Sequence, residues 1–331
     1  RINEPGVRFK TYAITSLRGG VGKSTLAFNL AWYLSREHRT LLIDTCPQRN
    51  FTQTLLGNDS LDGGLTIYDA LLPRLVPSLP SVNAEDLVES VPSHCRAFRG
   101  GHAYLVPGSK EFFLFPSLLY STVANTVNMP ESVRRKAVRG ILGSLDSVID
   151  SIRKAYRCDK VIIDCSPFFG GATHLAWIAA EALIIPVRAD QHSVDALRLT
   201  LSMLRDGERD FLRMNREFGM NHVPKVHAIA VTHCGWNRQR EYQPDRSTQV
   251  YLSQIDGIIQ ENKDLFSADD PIACVHLLDD FHAAGRISGS ERIPLANLRV
   301  GDFFTVERQR LQVNPSVERY QKELAALART L

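Results

Sequence analysis

The sequence has no Cys-x-x-Cys pair. None of its six cysteines, Cys46, Cys95, Cys158, Cys165, Cys234 and Cys274, has that spacing to another, so neither a zinc knuckle nor a dithiol redox motif is expected. Several lie inside apolar runs, where a thiol reads as a small buried hydrophobe. That usage fits a reducing compartment, and a cytoplasmic location is expected. No apolar run approaches the ~18 residues of a membrane span. No secretory leader is expected either, although the sequence opens at Arg1 rather than Met. Charge of one sign is also scarce. A formal net charge of +3 over 331 residues permits an acidic partner without demanding one, so any nucleic-acid surface has to be local. The histidines are scattered without metal-ligand spacing, and His222, His227 and His233 read as loop or core residues.

What is present is an alternation of short apolar runs and helical periods. "TYAITS" (11–16), "RTLLID" (39–44), "DKVIIDCS" (159–166), "ALIIPV" (182–187), "KVHAIAVT" (225–232) and "IACVHLL" (272–278) are apolar nearly throughout. Strands buried on both faces of a parallel sheet have that pattern. Between them, Leu26, Leu30 and Leu34 mark one helical stripe. Val133, Ala137, Ile141, Leu145, Val148 and Ile152 mark a second, and Val194, Leu197, Leu201, Leu204 and Leu212 a third. The last runs through Val317, Tyr320, Leu324, Leu327 and Leu331. The fold class expected is α/β, an open, mostly parallel twisted sheet flanked by helices on both faces. Residues 57–130 interrupt the alternation with Pro, Ser and Gly, and hold one helix signal, "TIYDALL", and one strand signal, "HAYLVP". Residues 1–331 therefore read as a single domain with an insertion at about 57–130.

The first apolar run leads into "SLRGGVGKST" (16–25). A phosphate loop reads G-x-x-x-x-G-K-[ST]. Here Leu17 stands where the first glycine belongs, and Gly19-Gly20 follow Arg18 instead. The setting between a buried strand and a helix N-terminus still favours an anion, because unpaired N–H groups and the helix dipole converge there. Gly19, Gly20, Val21 and Gly22 would wrap the phosphates. Lys23 would reach the β and γ phosphates, and the Ser24 hydroxyl would ligate Mg²⁺.

"RGGVGKST" resembles the deviant Walker A motif, K-G-G-x-G-K-[ST], of the ParA/MinD superfamily of dimerising ATPases. "LLIDTCPQRN" (41–50) is similar to the second ParA motif, L-L-V-D-x-D-P-Q-x-N. "VIIDCSPFFG" (161–170) is similar to the Walker B and switch segment, and "ALIIPVRADQHSVDAL" (182–197) to the ParA stretch beginning I-I-P-V. "RISGSERIPL" (286–295) resembles the late R-L-S segment. The resemblance implies a P-loop NTPase fold with ATP and Mg²⁺ as ligands. Gly19, Gly20, Val21, Gly22, Lys23, Ser24, Thr25, Asp164 and Pro186 would form the nucleotide site, with Mg²⁺ held by Ser24 and, through water, by Asp164. Lys23, Arg18 and Asp44 are the candidate catalytic residues. Asp44, at a strand end like Asp164, would bind Mg²⁺-bound water or orient the attacking water, or serve as a turn residue in D-x-x-P.

Two positions depart from the family. Its signature lysine, which reaches the partner subunit's nucleotide, is Arg18 here, a planar fork that could act in trans. The second aspartate of D-x-D-P-Q is Cys46, and a thiol of pKa ~8.5 cannot replace a carboxylate as water anchor. Binding and dimerisation are expected to survive, with hydrolysis slow or partner-stimulated. A nucleophilic role for Cys46 lacks a partner His in the sequence.

The partners implied are a second copy of the chain on ATP binding, nonspecific DNA, and a ParB-like or other adaptor, with nucleoid association and DNA partition or cargo positioning as the role. Most of Arg198, Arg205, Arg209, Arg213 and Arg216 are expected along one helix side, and the resemblance puts Arg205 and Arg238 or Arg240 near places where such ATPases contact DNA. A solvated helix face neutralised by Asp206, Glu208 and Asp210 is the alternative. A MinD-like membrane role would need a basic amphipathic last helix. The last helix here is mixed in charge, so stable membrane insertion is not expected. A nucleotide-binding regulator with little hydrolysis is a further alternative.

Overall fold

The computed structural model describes residues 8–58, 63–235, 243–279 and 281–331. Eight strands form one sheet: β1 (Thr11–Ile14), β2 (Thr40–Asp44), β3 (Glu89–Ser90), β4 (Ala103–Val106), β5 (Lys160–Asp164), β6 (Ala182–Arg188), β7 (Lys225–Cys234) and β8 (Val275–Asp279). Their order is β3-β4-β2-β5-β1-β6-β7-β8, and every pairing is parallel except β3 with β4. A separate hairpin pairs β9 (Phe303–Val306) with β10 (Gln309–Gln312). The expected open, mostly parallel sheet is present.

The apolar runs resolve into two alternating sets. Ala13, Leu41, Ile43, Val161 and Ile163 face one core, under the helices Ile67–Leu75, Ser144–Tyr156, Ala172–Ala179 and Gln191–Arg205. Tyr12, Ile14, Leu42 and Ile162 face the other, under the helices Lys23–Glu37, Asn50–Leu56 and Val317–Thr330. Successive side chains of a strand point to opposite faces, and here both faces are roofed, so no polar side is needed. The last helix buries Val317, Tyr320, Leu324 and Leu327 as its spacing predicts.

Two stripes are not continuous. The second breaks at Gly143, between helices Glu131–Leu142 and Ser144–Tyr156. Val133 thereby leaves the core and is 51% exposed. The third breaks after Arg205. Asp206 is extended, and its carboxylate accepts the N–H of Glu208 at 2.9 Å, a local bond that competes with continuing the helix. The arginines at 198, 205, 209, 213 and 216 therefore lie on two helices and their link, not on one side of one helix. The start of β8 also shifts: Asp270 accepts from the N–H of Ile272 and turns residues 271–274 into a 3-10 segment.

Residues from the 57–130 stretch join the sheet. "HAYLVP" supplies β4, which pairs with β2 from Thr40↔Ala103 to Ile43↔Val106. "TIYDALL" opens the helix Ile67–Leu75 behind a capping box of Thr66 and Asp69. Along the sheet, β1 lies between β5 and β6, so the chain leaves its C-terminal end at a switch in strand order, the position where open α/β sheets bind ligands.

Candidate functional site: a phosphate loop over paired carboxylates

β1 ends at Ile14, and residues 15–22 turn the chain into the helix Lys23–Glu37. Gly22 is the residue before that helix, with φ 86°, and Gly20 has φ 72°. Both angles lie in the left-handed region that an L side chain reaches only with strain. The end of β7 supports the loop from the side: Thr232 Oγ1 donates to the Val21 carbonyl at 3.1 Å. Trp177 Nε1 donates to Thr15 Oγ1 at 3.0 Å below it. Pro186 lies in β6 beyond its pairing with β1. Ile184 accepts from Thr15, so the Pro186 nitrogen faces the same way, past the end of β1, where no donor is required.

Under the loop, Asp44 and Asp164 are register partners at the ends of β2 and β5. Both are fully buried. Ser24 Oγ donates to Asp164 Oδ2 at 2.7 Å, and Asp164 Oδ1 is buried with no hydrogen-bond partner. Burial, then the negative charge of Asp44, pushes the Asp164 carboxyl up to about 7. A buried acceptor without a donor is costly, and a divalent cation beside Ser24 and Asp164 would satisfy it. The pair fits Mg²⁺, which binds through one or two protein oxygens and keeps its other positions for water and phosphate. Among the described residues no group of three or more His, Cys, Asp and Glu side chains could form a fuller metal cage.

Asp44 is engaged differently. Its Oδ1 accepts the Cys46 N–H at 3.0 Å, and its Oδ2 accepts both the N–H and the hydroxyl of Thr52, at 2.9 and 2.7 Å. Thr52 Oγ1 in turn accepts the Gly108 N–H at 2.9 Å. These bonds occupy both carboxylate oxygens of Asp44 and tie the end of β2 to the chain leaving β4. Burial, with Asp44 and Asp164 next, pushes the Cys46 thiol up to about 12, so it is neutral at physiological pH.

The two basic residues of the loop are both held within the chain. Lys23 is buried, and its Nζ donates to the Arg18 carbonyl at 3.0 Å. Desolvation lowers its pKa, opposed by Asp164. Arg18 Nη1 pairs with Asp190 Oδ1 at 2.7 Å, an oxygen that also caps the helix Gln191–Arg205 by accepting from the Ser193 N–H. A cavity of about 600 Å³ opens beside Ser24 and Thr25 and is walled by Asn50, Arg286, Ser288 and Arg292. Ser288 Oγ is buried there without a partner. The "RISGSERIPL" segment thus comes to the phosphate loop through the helix His282–Glu291.

The candidate DNA residues are placed only in part. Arg205 is 48% exposed at its side chain and binds the Glu261 carbonyl, Asn262 and Asp264. Arg198, Arg209 and Arg213 pair with Glu261, Asp206 and Asp210. Arg238 and Arg240 lie outside the described residues. The sequence reading missed Thr52, Thr232 and Asp190 as site residues. For Thr232 a signal existed, since it stands at the C-terminal end of a buried strand.

A glycine loop at a strand-order switch, over a Ser–Asp pair with an open carboxylate oxygen, defines a P-loop nucleotide-binding protein. The AAA domain family AAA_31 matches residues 9–214, and the chain belongs to that family, as a P-loop ATPase of the ParA/MinD type. It is 30% identical over 207 residues to the chromosome partitioning protein ParA of Myxococcus xanthus, covering 61% of each chain. It is 27% identical over 199 residues to the sporulation initiation inhibitor protein Soj of Bacillus subtilis, covering 59% of this chain and 65% of that one. The chain thus spans less than two thirds of the length of these relatives. Among solved structures, an ATP complex of Cyanothece McdA superposes with a TM-score of 0.66 at 18% identity, over 98% of this chain and 97% of that one. That likeness is one of fold.

Proposed function

We propose that the chain is an ATP-dependent, dimerising switch of ParA type, acting in DNA partition or cargo positioning in the cytoplasm. The observation that carries the reading is the Ser24–Asp164 pair with its unpartnered Asp164 oxygen under the phosphate loop. Mg²⁺ bound there would neutralise charge on the β and γ phosphates. Lys23 would exchange the Arg18 carbonyl for a phosphate oxygen, relieving its desolvation. The N–H groups of residues 19–25 would hold the phosphates, and the 600 Å³ cavity next to Thr25 is of a size for the nucleoside.

Support for a dimer comes from a partly apolar hollow beside Arg18, lined by Leu17, Pro167, Phe168, Phe169 and Leu199 together with Arg209 and Asp210. Arg18 would then leave Asp190 for the partner's nucleotide, at modest cost because the pair is partly exposed. DNA contact through Arg205, with Arg238 and Arg240, would trade exposed ion pairs for phosphates and weaken steeply with salt. A ParB-like or other adaptor would reset the switch. The buried apolar face of the last helix supports a core role for it rather than a membrane one. Among the described residues no helix is long and apolar enough to cross a membrane.

The neutral Cys46 thiol favours a second reading, a nucleotide-binding regulator that hydrolyses ATP very slowly. Fluorescent-ATP binding with and without Mg²⁺, light scattering for oligomeric state, and DNA binding over a salt series test the proposal. Absence of Mg²⁺-dependent nucleotide binding would sink both readings. Binding without dimer or DNA contact would leave only the second.

A further inference from the structure

The helix Phe115–Ala124 buries Phe115, Leu119 and Val123 and presents two further faces, one on either side of that row. The inner of these carries Pro116 and, one turn on, Tyr120, both half-buried. Gly171, at φ +51°, packs so closely on Pro116 that an added Cβ would lie 2.8 Å from its Cγ, and Gly170 lies against Tyr120. The Tyr120 hydroxyl is 3.2 Å from His174 Nδ1, and His174 Nε2 is 3.0 Å from Asn215 Oδ1. Gly170 and Gly171 close the segment that starts at Asp164. The inner face therefore clamps the loop that follows the carboxylate of the nucleotide site.

The outer face opens on a groove of about 850 Å³. Leu118 lines it together with Leu75 from the helix Ile67–Leu75, and with Met129, Val133 and Ile141 at and within the helix Glu131–Leu142. Met129 and Val133 are 43% and 51% exposed. Contiguous exposed apolar side chains of this kind mark interaction sites more often than chance. The charged residues among the lining are Arg74 and Lys136. Both are exposed, and among the described residues no carboxylate lines the groove.

We propose that this groove docks an amphipathic helix with an acidic flank, contributed by a partner protein, and that docking bears on the Asp164 loop through Pro116 and Tyr120. Charge complementarity with Arg74 and Lys136 selects the acidic flank, and the apolar floor selects a helix laying one face into a groove. The effect on the Asp164 loop rests on the nucleotide-switch reading, whereas the docking does not.

The probe is a fluorescein-labelled peptide of about four helical turns, with Leu at i, i+3, i+4 and i+7 and Glu on the opposite face. Its counterpart carries Lys for Glu. Anisotropy against the full chain is expected to show the Glu peptide binding at least about tenfold tighter than the Lys peptide. Val133→Asp changes an exposed residue, so its circular dichroism should match wild type, while peptide binding weakens about tenfold or more. Arg74→Glu with Lys136→Glu should reverse the peptide preference. Saturating peptide should change the release rate of fluorescent ATP from wild type and leave Val133→Asp unaffected.

No binding, preference for the Lys peptide, or indifference to Val133→Asp would overturn the docking. Nucleotide-free self-association, or binding to phosphatidylglycerol vesicles, that Val133→Asp abolishes would assign the groove to a second copy or to lipid and overturn it equally. Peptide binding without any change in ATP release would overturn the coupling to Asp164. Peptide binding to a chain that binds no ATP would leave the docking standing and sink the nucleotide reading.

Discussion

Asp164→Asn is expected to stabilise the protein at about pH 8 without nucleotide or metal, and to lose that advantage as the pH falls. The wild-type carboxyl is fully buried, with one oxygen held by Ser24 and the other unpartnered. Burial and the neighbouring Asp44 raise its pKa from 3.8 to about 7. A folded-state value above the unfolded one means that the folded chain binds the proton more tightly. The stability this confers is complete below the unfolded pKa and is lost as pH rises through about 7. At about 1.36 kcal/mol per unit while the carboxyl stays protonated, some 2 kcal/mol disappears between about pH 5.5 and 8.

The amide is uncharged and can still accept from Ser24, so it carries none of this penalty. His174, His227 and His276 titrate in the opposite sense. Burial lowers each to about 4, so their contribution is lost as pH falls below the ordinary histidine value of 6.5. They act on wild type and variant alike and cancel in the difference. Urea unfolding of both proteins in chelator, from about pH 5.5 to 8, measures that difference. It should be about 2 kcal/mol smaller at the acid end. A difference that does not vary with pH, or a variant less stable at pH 8, would refute the reasoning. With Mg²⁺ and ATP the order should invert, because only wild type gains from the ligand.

Cys46→Asp should raise ATP turnover, on the order of 10²-fold if it restores a water-anchoring carboxylate, and lower stability without nucleotide by adding a third buried acid beside Asp44 and Asp164. An unchanged rate would show that another group already serves the water. Gly22→Ala meets no steric block, since Thr232 Cγ2 lies 4.0 Å from the added carbon. Its cost is the backbone angle alone, about 1–2 kcal/mol, seen in urea unfolding as a roughly 5- to 30-fold fall in the ratio of folded to unfolded chain. Thr52→Val leaves the Gly108 N–H without its acceptor and takes from Asp44 Oδ2 one of its two donors, the N–H of residue 52 remaining, and urea unfolding should register a loss on the order of 1–3 kcal/mol. A loss below that range would mean the tie is dispensable.

The strands were legible because burial on both faces leaves only apolar residues to write, and the phosphate loop because Gly-Lys-Ser follows such a run. Helix ends were less so. The apolar spacing passes through Gly143 and through residues 206–209 without losing phase, so periodicity alone joins what the backbone separates. The carboxylate of Asp164 could be placed from V-I-I-D, but not all of the bonds that occupy Asp44. The bond from the Cys46 N–H, two residues on, is of the local kind that a turn aspartate makes, but the bonds from Thr52 depend on the packing of the next helix and of Gly108, and no local pattern encodes that meeting. Asp190 as the partner of Arg18 was hidden for the same reason.

The bond from Gly108 to Thr52 makes residues 57–130 something other than a removable cassette. Cutting the stretch out would strip β4 from β2 and leave a raw sheet edge. The same cut would take away one of the donors that hold Thr52 against Asp44. A shortened chain would therefore arrive at its nucleotide with the floor of the pocket already loosened, and a defect in ATP binding could not be taken as proof that the deleted part touches ATP.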